Sequence, residues 1–369
     1  MSDNVDLLIR KETFSKILDK KNSMGFEEKE WDEWLIHILS NYLMDDKIKT
    51  RIEKKWEEVY YNKFYDEWVK YFALNLNNIW NESSAKDLDP IKDSGSYTNK
   101  ESAIVIGRGP SIKKYNHLEL LAKSDYGGSI VCTDGALINA LKAGITPDKF
   151  PKYYVITIDS RKEIREYYDD KLVDKYGDKI KGIFSTVVNP DTVERARQAG
   201  MKIHWLHALF DHNEGKKSFN QMSALMVRAK NPLRGLPAIQ TGGNVGTSAW
   251  FVSWKILKCS TVAFIGINHG WNEDDPLELI KTHGHTHSEI KIDENDPLFS
   301  KVFPKIYNPE FNCYCILDPI FKYYSSALKE FILRSPDWLT TVNATEGGCI
   351  FGEKIKCTTL SNFLSLYKN

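Results

Sequence analysis

No apolar run in this 369-residue chain is long enough to cross a bilayer; the longest, such as Ala249 to Leu257, are short and broken by polar side chains. A spanning helix needs about 20 consecutive apolar residues, so no membrane segment is expected. Net charge is also missing, because 50 basic and 50 acidic residues cancel. No whole-molecule field then favours nucleic acid or an acidic membrane surface, and any partner must be met by a local site. The six cysteines, Cys132, Cys259, Cys313, Cys315, Cys349 and Cys357, include no CxxC pair. That spacing argues against a zinc ribbon, and a chain of this size needs no disulfide staples. The opening residues MSDNVDLLIRKETF lack a basic stretch followed by an apolar core, so no targeting segment is read and the expected location is cytoplasmic. Neither internal repeats nor low-complexity tracts occur. What remains is ordinary globular usage, with 42% hydrophobic and 27% charged residues, in a chain longer than one core usually serves.

Between Lys11 and Trp80 proline is absent and glycine occurs once, at Gly25, while Trp31, Trp34, Trp56, Trp68 and Trp80 recur among charged residues. That pattern predicts helices. Trp31, Trp34, Leu35, Ile38 and Leu39 share one helical face, a surface suited to helix packing or to a homo-oligomer. Residues 83–101 are polar and broken by Pro90 and Gly95, which predicts a linker. The expected organisation is a helical segment over 1–82, a linker over 83–101 and a main domain over 102–369.

After the linker, short apolar runs alternate with helical stretches. Ala103 to Ile106, Ser129 to Cys132, Tyr153 to Ile158, Gly182 to Ser185, Lys202 to Leu206 and Thr261 to Ile267 read as buried strands. Helices are expected over 118–123, 136–143, 161–175, 190–199, 246–257, 328–334 and 360–366. Such alternation predicts an α/β, Rossmann-like, mostly parallel sheet with helices on both faces.

Candidate site residues fall at the ends of these strands. Gly107, Gly109, Pro110 and Ser111 follow the first, where glycines let the backbone approach an anion and the next amides can hold phosphate oxygens. Asp134 and Gly135 follow the second, Asp159 and Ser160 the third. Carboxylates at adjacent strand ends can meet around Mg²⁺ in the crevice where open sheets bind ligands; Asp134 serves equally well as a helix cap. His204, His207, Asp211, His212 and Asn213 follow the fifth strand. Gly242, Gly243, Asn244 and Thr247 open a later helix and form a second candidate anion cradle. His283, His285 and His287 alternate, which suits a metal, proton transfer or a solvated loop.

Taken in order, IGRGPSI, TDGALINALKAGITPD, VITIDS, TGGNVGTSA, AFIGINHGW and VNATEGG resemble the 6-hydroxymethylpterin diphosphokinase MptE-like domain. They also resemble its relatives, the Maf proteins that transfer nonulosonic sugars to flagellin. For the diphosphokinase branch the resemblance implies ATP and Mg²⁺, with Gly107 to Ser111 near phosphate, Asp134 and Asp159 near metal, and His207, Ala208, Asp211 and Asn213 matching an HAxGDN-type segment. Two departures weaken two-metal chemistry: VITIDSR has one aspartate where a pair is usual, and TGGNVGTSA lacks an acidic element. For the Maf branch the closer matches are TGGNVGTSAW, LDPIFKYYSSALKEFI and NATEGG, which imply a CMP-activated sugar as donor, with Asp211 and the His283 cluster as candidate catalytic groups. The resemblance therefore implies a nucleotide-dependent transferase acting on small molecules: diphosphate transfer to a pterin-like alcohol, with glycosyl transfer or a non-catalytic nucleotide-binding scaffold as alternatives.

Overall fold

The computed structural model describes residues 11–23, 31, 64–92, 94–209, 223, 235–278, 280–281, 295 and 299–367. Ten strands form the main sheet: β1 (Ser83–Ser84), β2 (Ser102–Ile106), β3 (Ser129–Thr133), β4 (Tyr153–Thr157), β5 (Lys181–Ser185), β6 (Lys202–Leu209), β7 (Ala238–Gln240), β8 (Thr261–Ile265), and two late strands, Thr340–Asn343 and Ile355–Cys357. Between β8 and the late pair lie β9 (Trp271–Asn272), β10 (Lys305–Asn308) and β11 (Cys313–Ile316), which make a separate antiparallel sheet in the order β10-β11-β9. The late pair are therefore β12 and β13. The main sheet runs β1-β6-β5-β4-β3-β2-β8-β12-β13, with β7 also on β6, and every described pairing in it is parallel.

All residues of β2, β3, β4 and β8 are buried, as expected of parallel strands covered on both faces. Successive side chains point to opposite faces, and the core divides accordingly. Ile104 and Ile106 join a cluster with Ile130, Tyr153 and Val155, while Ala103 and Val105 join another with Val131, Ile156 and Phe264. The first face is covered by α2 (Tyr65–Asn81), α5 (Leu137–Lys142), α7 (Pro190–Gln198) and α10 (Leu360–Leu366), the second by α8 (Val245–Phe251) and α9 (Pro319–Leu333). Here α1 is Lys11–Ser23, and α3, α4 and α6 are Ser111–Lys114, His117–Lys123 and Lys171–Tyr176. Several starts are fixed locally: Asn189 and Asp318 cap α7 and α9, each with proline in the first turn, where a missing N–H costs nothing.

All six expected strands are present. Where the sequence predicts one helix over 161–175, the chain forms a 3₁₀ segment, Lys162–Tyr168, followed by α6. The helix expected over 328–334 begins nine residues earlier, at Pro319, because Asp318 and Pro319 form its cap.

The amino-terminal side is tied closely to this core. In α2 the buried residues Trp68, Phe72, Asn75 and Ile79 form one stripe, and Asn75 Nδ2 donates to the carbonyls of Thr186 and Val188 at 3.2 and 2.8 Å. Immediately after α2, residues read from sequence as the start of a linker form β1, where Ser83 and Ser84 pair with His204 and Trp205 of β6. Further on, Asn99 is bonded to Leu257 and Lys258. Two-residue polar strands carry no apolar signature, which is why composition suggests a linker. Of the expected aromatic stripe, Trp31 stacks on Phe14 at 5.5 Å; Trp34, Leu35, Ile38 and Leu39 lie outside the described residues.

Glu82 joins α2 to the sheet. Its carboxylate accepts from Arg197 Nε and Nη2 at 2.6 and 3.0 Å and from the indole of buried Trp205 at 2.7 Å. Removing it leaves a buried N–H without its acceptor. Glu82→Ala is expected to destabilise the protein by about 1–3 kcal/mol, measured by urea denaturation; an unchanged midpoint would show that the joint contributes nothing.

Candidate functional site

From β2 the chain moves outward through β3, β4, β5 and β6, then crosses back to place β8 on the other side of β2. The ends of β2 and β8 therefore flank the point where strand order reverses, and ligands bind open sheets in such crevices. A cavity of about 580 Å³ lies there.

Its floor is a contact between two turns. Gly107 N–H donates to Ile265 O and Gly109 N–H to Gly266 O, both at 2.8 Å. A Cβ on Gly107 would lie 2.3 Å from Gly266 O, and one on Gly109 would lie 2.3 Å from Asn268 Oδ1. The sequence suggests that these glycines make room for an anion; the structure requires them for the meeting of two backbones.

The expected residues divide by position. Gly107, Gly109, Pro110, Asp134, Gly135, Asp159, Ser160, Gly243 and Asn244 all line the cavity. Ser111, Gly242 and Thr247 are not among the lining residues, because their neighbourhood uses them internally. Ser111 Oγ donates to Asn268 Oδ1 at 2.9 Å. Asn244 caps α8 by accepting from Thr247 N–H at 2.9 Å and donates to its hydroxyl at 3.0 Å, and Gly242 O accepts from the same side-chain amide. Both ring nitrogens of buried His207 lie within hydrogen-bond distance of hydroxyls, of Thr186 at 3.0 Å and Ser223 at 3.1 Å. Asp211, His212, Asn213, His283, His285 and His287 lie outside the described residues.

Asp134 directly follows β3 and opens a 3₁₀ turn, its Oδ1 accepting from Gly135 N–H at 2.7 Å. Burial pushes its carboxyl up to about 7, opposed by the Gly135 bond and reinforced by the negative charge of Asp159. Asp159 itself is held by Arg161 through an ion pair at 2.6 Å. Among the described residues, no three His, Cys, Asp or Glu side chains gather as a metal cage. Two carboxylates at neighbouring strand ends nevertheless suit a magnesium ion that arrives with phosphates, since such ions take one or two carboxylates and leave the remaining positions to phosphate and water.

The sequence pattern assigns no role to several lining residues. Arg108 donates to the Tyr167 hydroxyl at 2.6 Å and sits 5.3 Å from that ring. Trp68 of α2 reaches across to donate to Ser160 Oγ at 3.0 Å. Asn268 and His269 come after β8, and burial lowers His269 to about 3, so it is neutral. Phe321 and Tyr324 of α9 complete an aromatic wall, with ring centres 6.3 and 6.0 Å from His269. The signals in the sequence that point toward them are the strand-end position of Arg108 and Asn268, the AFIGINHGW run that holds Asn268 and His269, and the LDPIFKYYSSALKEFI run that holds Phe321 and Tyr324.

Asp134 is raised in the folded state, so the stability tied to its proton is complete below about pH 4 and is lost as pH rises through about 7. Asp134→Asn is expected to be more stable than the parent at pH 8, by up to about 4 kcal/mol, with the two converging near pH 4. Parallel melting curves across pH would refute the assignment. Gly107→Ala is expected to cost about 1–3 kcal/mol through overpacking, read by calorimetry without ligand; a neutral result would show that the turns can part.

The solved Maf glycosyltransferase from Magnetospirillum magneticum AMB-1 is similar over 76% of this chain and 38% of its own, at 16% identity and a TM-score of 0.43. This chain thus spans well under half of that protein. No curated protein matches it. Residues 70–274 match the family model described as 6-hydroxymethylpterin diphosphokinase MptE-like, a stretch running from α2 to just beyond β9 and covering more than half of the chain. The chain belongs to the 6-hydroxymethylpterin diphosphokinase MptE-like family.

Proposed function

We propose that this protein is a nucleotide-dependent transferase that moves diphosphate from ATP to a pterin-like alcohol, with the reaction carried out in the switch-point cavity. The observation that carries this reading is Asp134, a buried carboxyl on the cavity wall raised to about 7. A group with that affinity for protons can take one from an attacking hydroxyl at neutral pH. In the proposed step the acceptor oxygen bonds to the β-phosphorus. The bond from that phosphorus to the oxygen bridging it to the α-phosphorus breaks, AMP leaves with the electron pair, and Asp134 receives the hydroxyl proton.

The remaining lining residues suit the two ends of such a ligand. Arg108 and Arg161 supply positive charge for phosphates, and guanidinium groups match phosphate oxygens in pairs. The Trp68, Tyr167, Phe321 and Tyr324 rings offer flat apolar surface for a heterocycle. Asp159, with Asp134 nearby, is the residue that would hold magnesium, and a bound ion would neutralise charge on the donor phosphates.

One observation favours a second reading. The α9 wall of Phe321 and Tyr324 lies beyond residues 70–274, so the family match does not account for that side of the pocket. A CMP-activated sugar is the alternative donor.

A non-hydrolysable ATP analogue with Mg²⁺ is expected to raise the melting temperature. With 6-hydroxymethylpterin as acceptor, Asp134→Asn is expected to lower AMP formation at least a hundredfold, the range of general-base loss, while changing analogue affinity by less than about threefold. Stabilisation by CMP or CMP-sugars but not by the ATP analogue would overturn the diphosphokinase reading in favour of glycosyl transfer.

A further inference from the structure

Both oxygens of Asp159 are taken by one residue. Oδ1 accepts from the backbone N–H of Arg161 at 2.9 Å, and Oδ2 accepts from its Nε and Nη2 at 2.9 and 2.6 Å. Both residues line the cavity just past the end of β4. A carboxylate committed in this way has little left to offer a cation. Arg108, the other lining arginine, is engaged differently, donating to a neutral phenol on Tyr167. The cavity therefore has one acid kept occupied by its own neighbour.

The guanidinium part of this pairing is within reach of solvent. The two side chains retain 47% and 31% of their exposure, and ion pairs reached by solvent are weak. A guanidinium makes the same paired contacts with a phosphate as with a carboxylate, so phosphate in the cavity competes directly for Arg161.

Resting on the phosphate-donor reading, we propose that Arg161 is a phosphate-sensing positioning residue: its guanidinium occupies Oδ2 of Asp159 in the free protein and transfers to the donor's phosphates when they enter, releasing Oδ2 for the divalent cation that accompanies them while Oδ1 keeps its bond from the Arg161 backbone N–H. Metal binding at Asp159 then depends on phosphate. The arrangement keeps a divalent ion from settling in the empty cavity and ties its arrival to the donor. Such coupling is reciprocal, so the same carboxylate weakens metal-free nucleotide binding by holding the arginine.

The test uses Mn²⁺ alone, followed by electron paramagnetic resonance, and adenosine 5′-(β,γ-imido)triphosphate in EDTA, followed by calorimetry. Nucleotide-free parent protein is expected to bind Mn²⁺ at least tenfold more weakly than Arg161→Met, and adding Asp159→Asn to that variant is expected to abolish the gain. In EDTA, Arg161→Met is expected to lose analogue affinity at least tenfold, Arg161→Lys to recover part of it, and Asp159→Asn to exceed the parent. Equal Mn²⁺ affinity in parent and Arg161→Met, or a gain that survives loss of Asp159, overturns the exchange while leaving the proposed function standing. Failure of the analogue to bind the parent with or without Mg²⁺ overturns both. Melting curves confirm that each variant is folded.

Discussion

The contact between the ends of β2 and β8 sets the terms for everything around it. Two backbones meet there through Gly107 N–H to Ile265 O and Gly109 N–H to Gly266 O, with no room for a side chain between them. Because these strands lie where the sheet reverses its order, the contact sits in the crevice itself, and Gly107, Gly109 and Gly266 line the cavity. It also brings the residues of both turns to one place: Arg108, Pro110, Asn268 and His269 all line the cavity. His269 takes a left-handed backbone conformation, at φ 45, which is uncommon for a non-glycine residue.

On that floor the charges are arranged by burial more than by number. Asp134 and Asp159 stand at adjacent strand ends, yet their surroundings differ. Asp134 is enclosed and gains a proton readily, whereas Asp159 keeps partial exposure and an arginine partner. Two carboxylates in unlike environments can take unlike roles, one in proton transfer and one in holding positive charge.

Much of this is legible in the sequence because parallel strands buried on both faces need unbroken apolar runs, and AIVI, SIVC, YYVITI and TVAFI can scarcely be read otherwise. Strand ends then indicate which residues share an edge, so Gly109, Asp134 and Asp159 can be grouped from pattern alone. What escapes is tertiary. Whether Ser111 or Thr247 faces a ligand depends on Asn268 and Asn244 claiming the hydrogen bonds, and spacing does not reveal a partner 157 residues away. β1 and β9, each two residues long, carry too little pattern to stand out from loops.

The cavity walls extend this point to specificity. Trp68 belongs to α2, before the sheet begins, and Phe321 and Tyr324 belong to α9, after most of it is complete. The floor and both carboxylates lie within residues 70–274, whereas these three aromatic residues lie outside that stretch. Polar groups at strand ends can be shared by many members of a family, because the parallel sheet dictates where they stand. Rings brought in from flanking helices are not so dictated. The strand-end part of the cavity is therefore set by the core of the fold, and the part lined by Trp68, Phe321 and Tyr324 is set by how this particular chain packs its two flanking helices against that core.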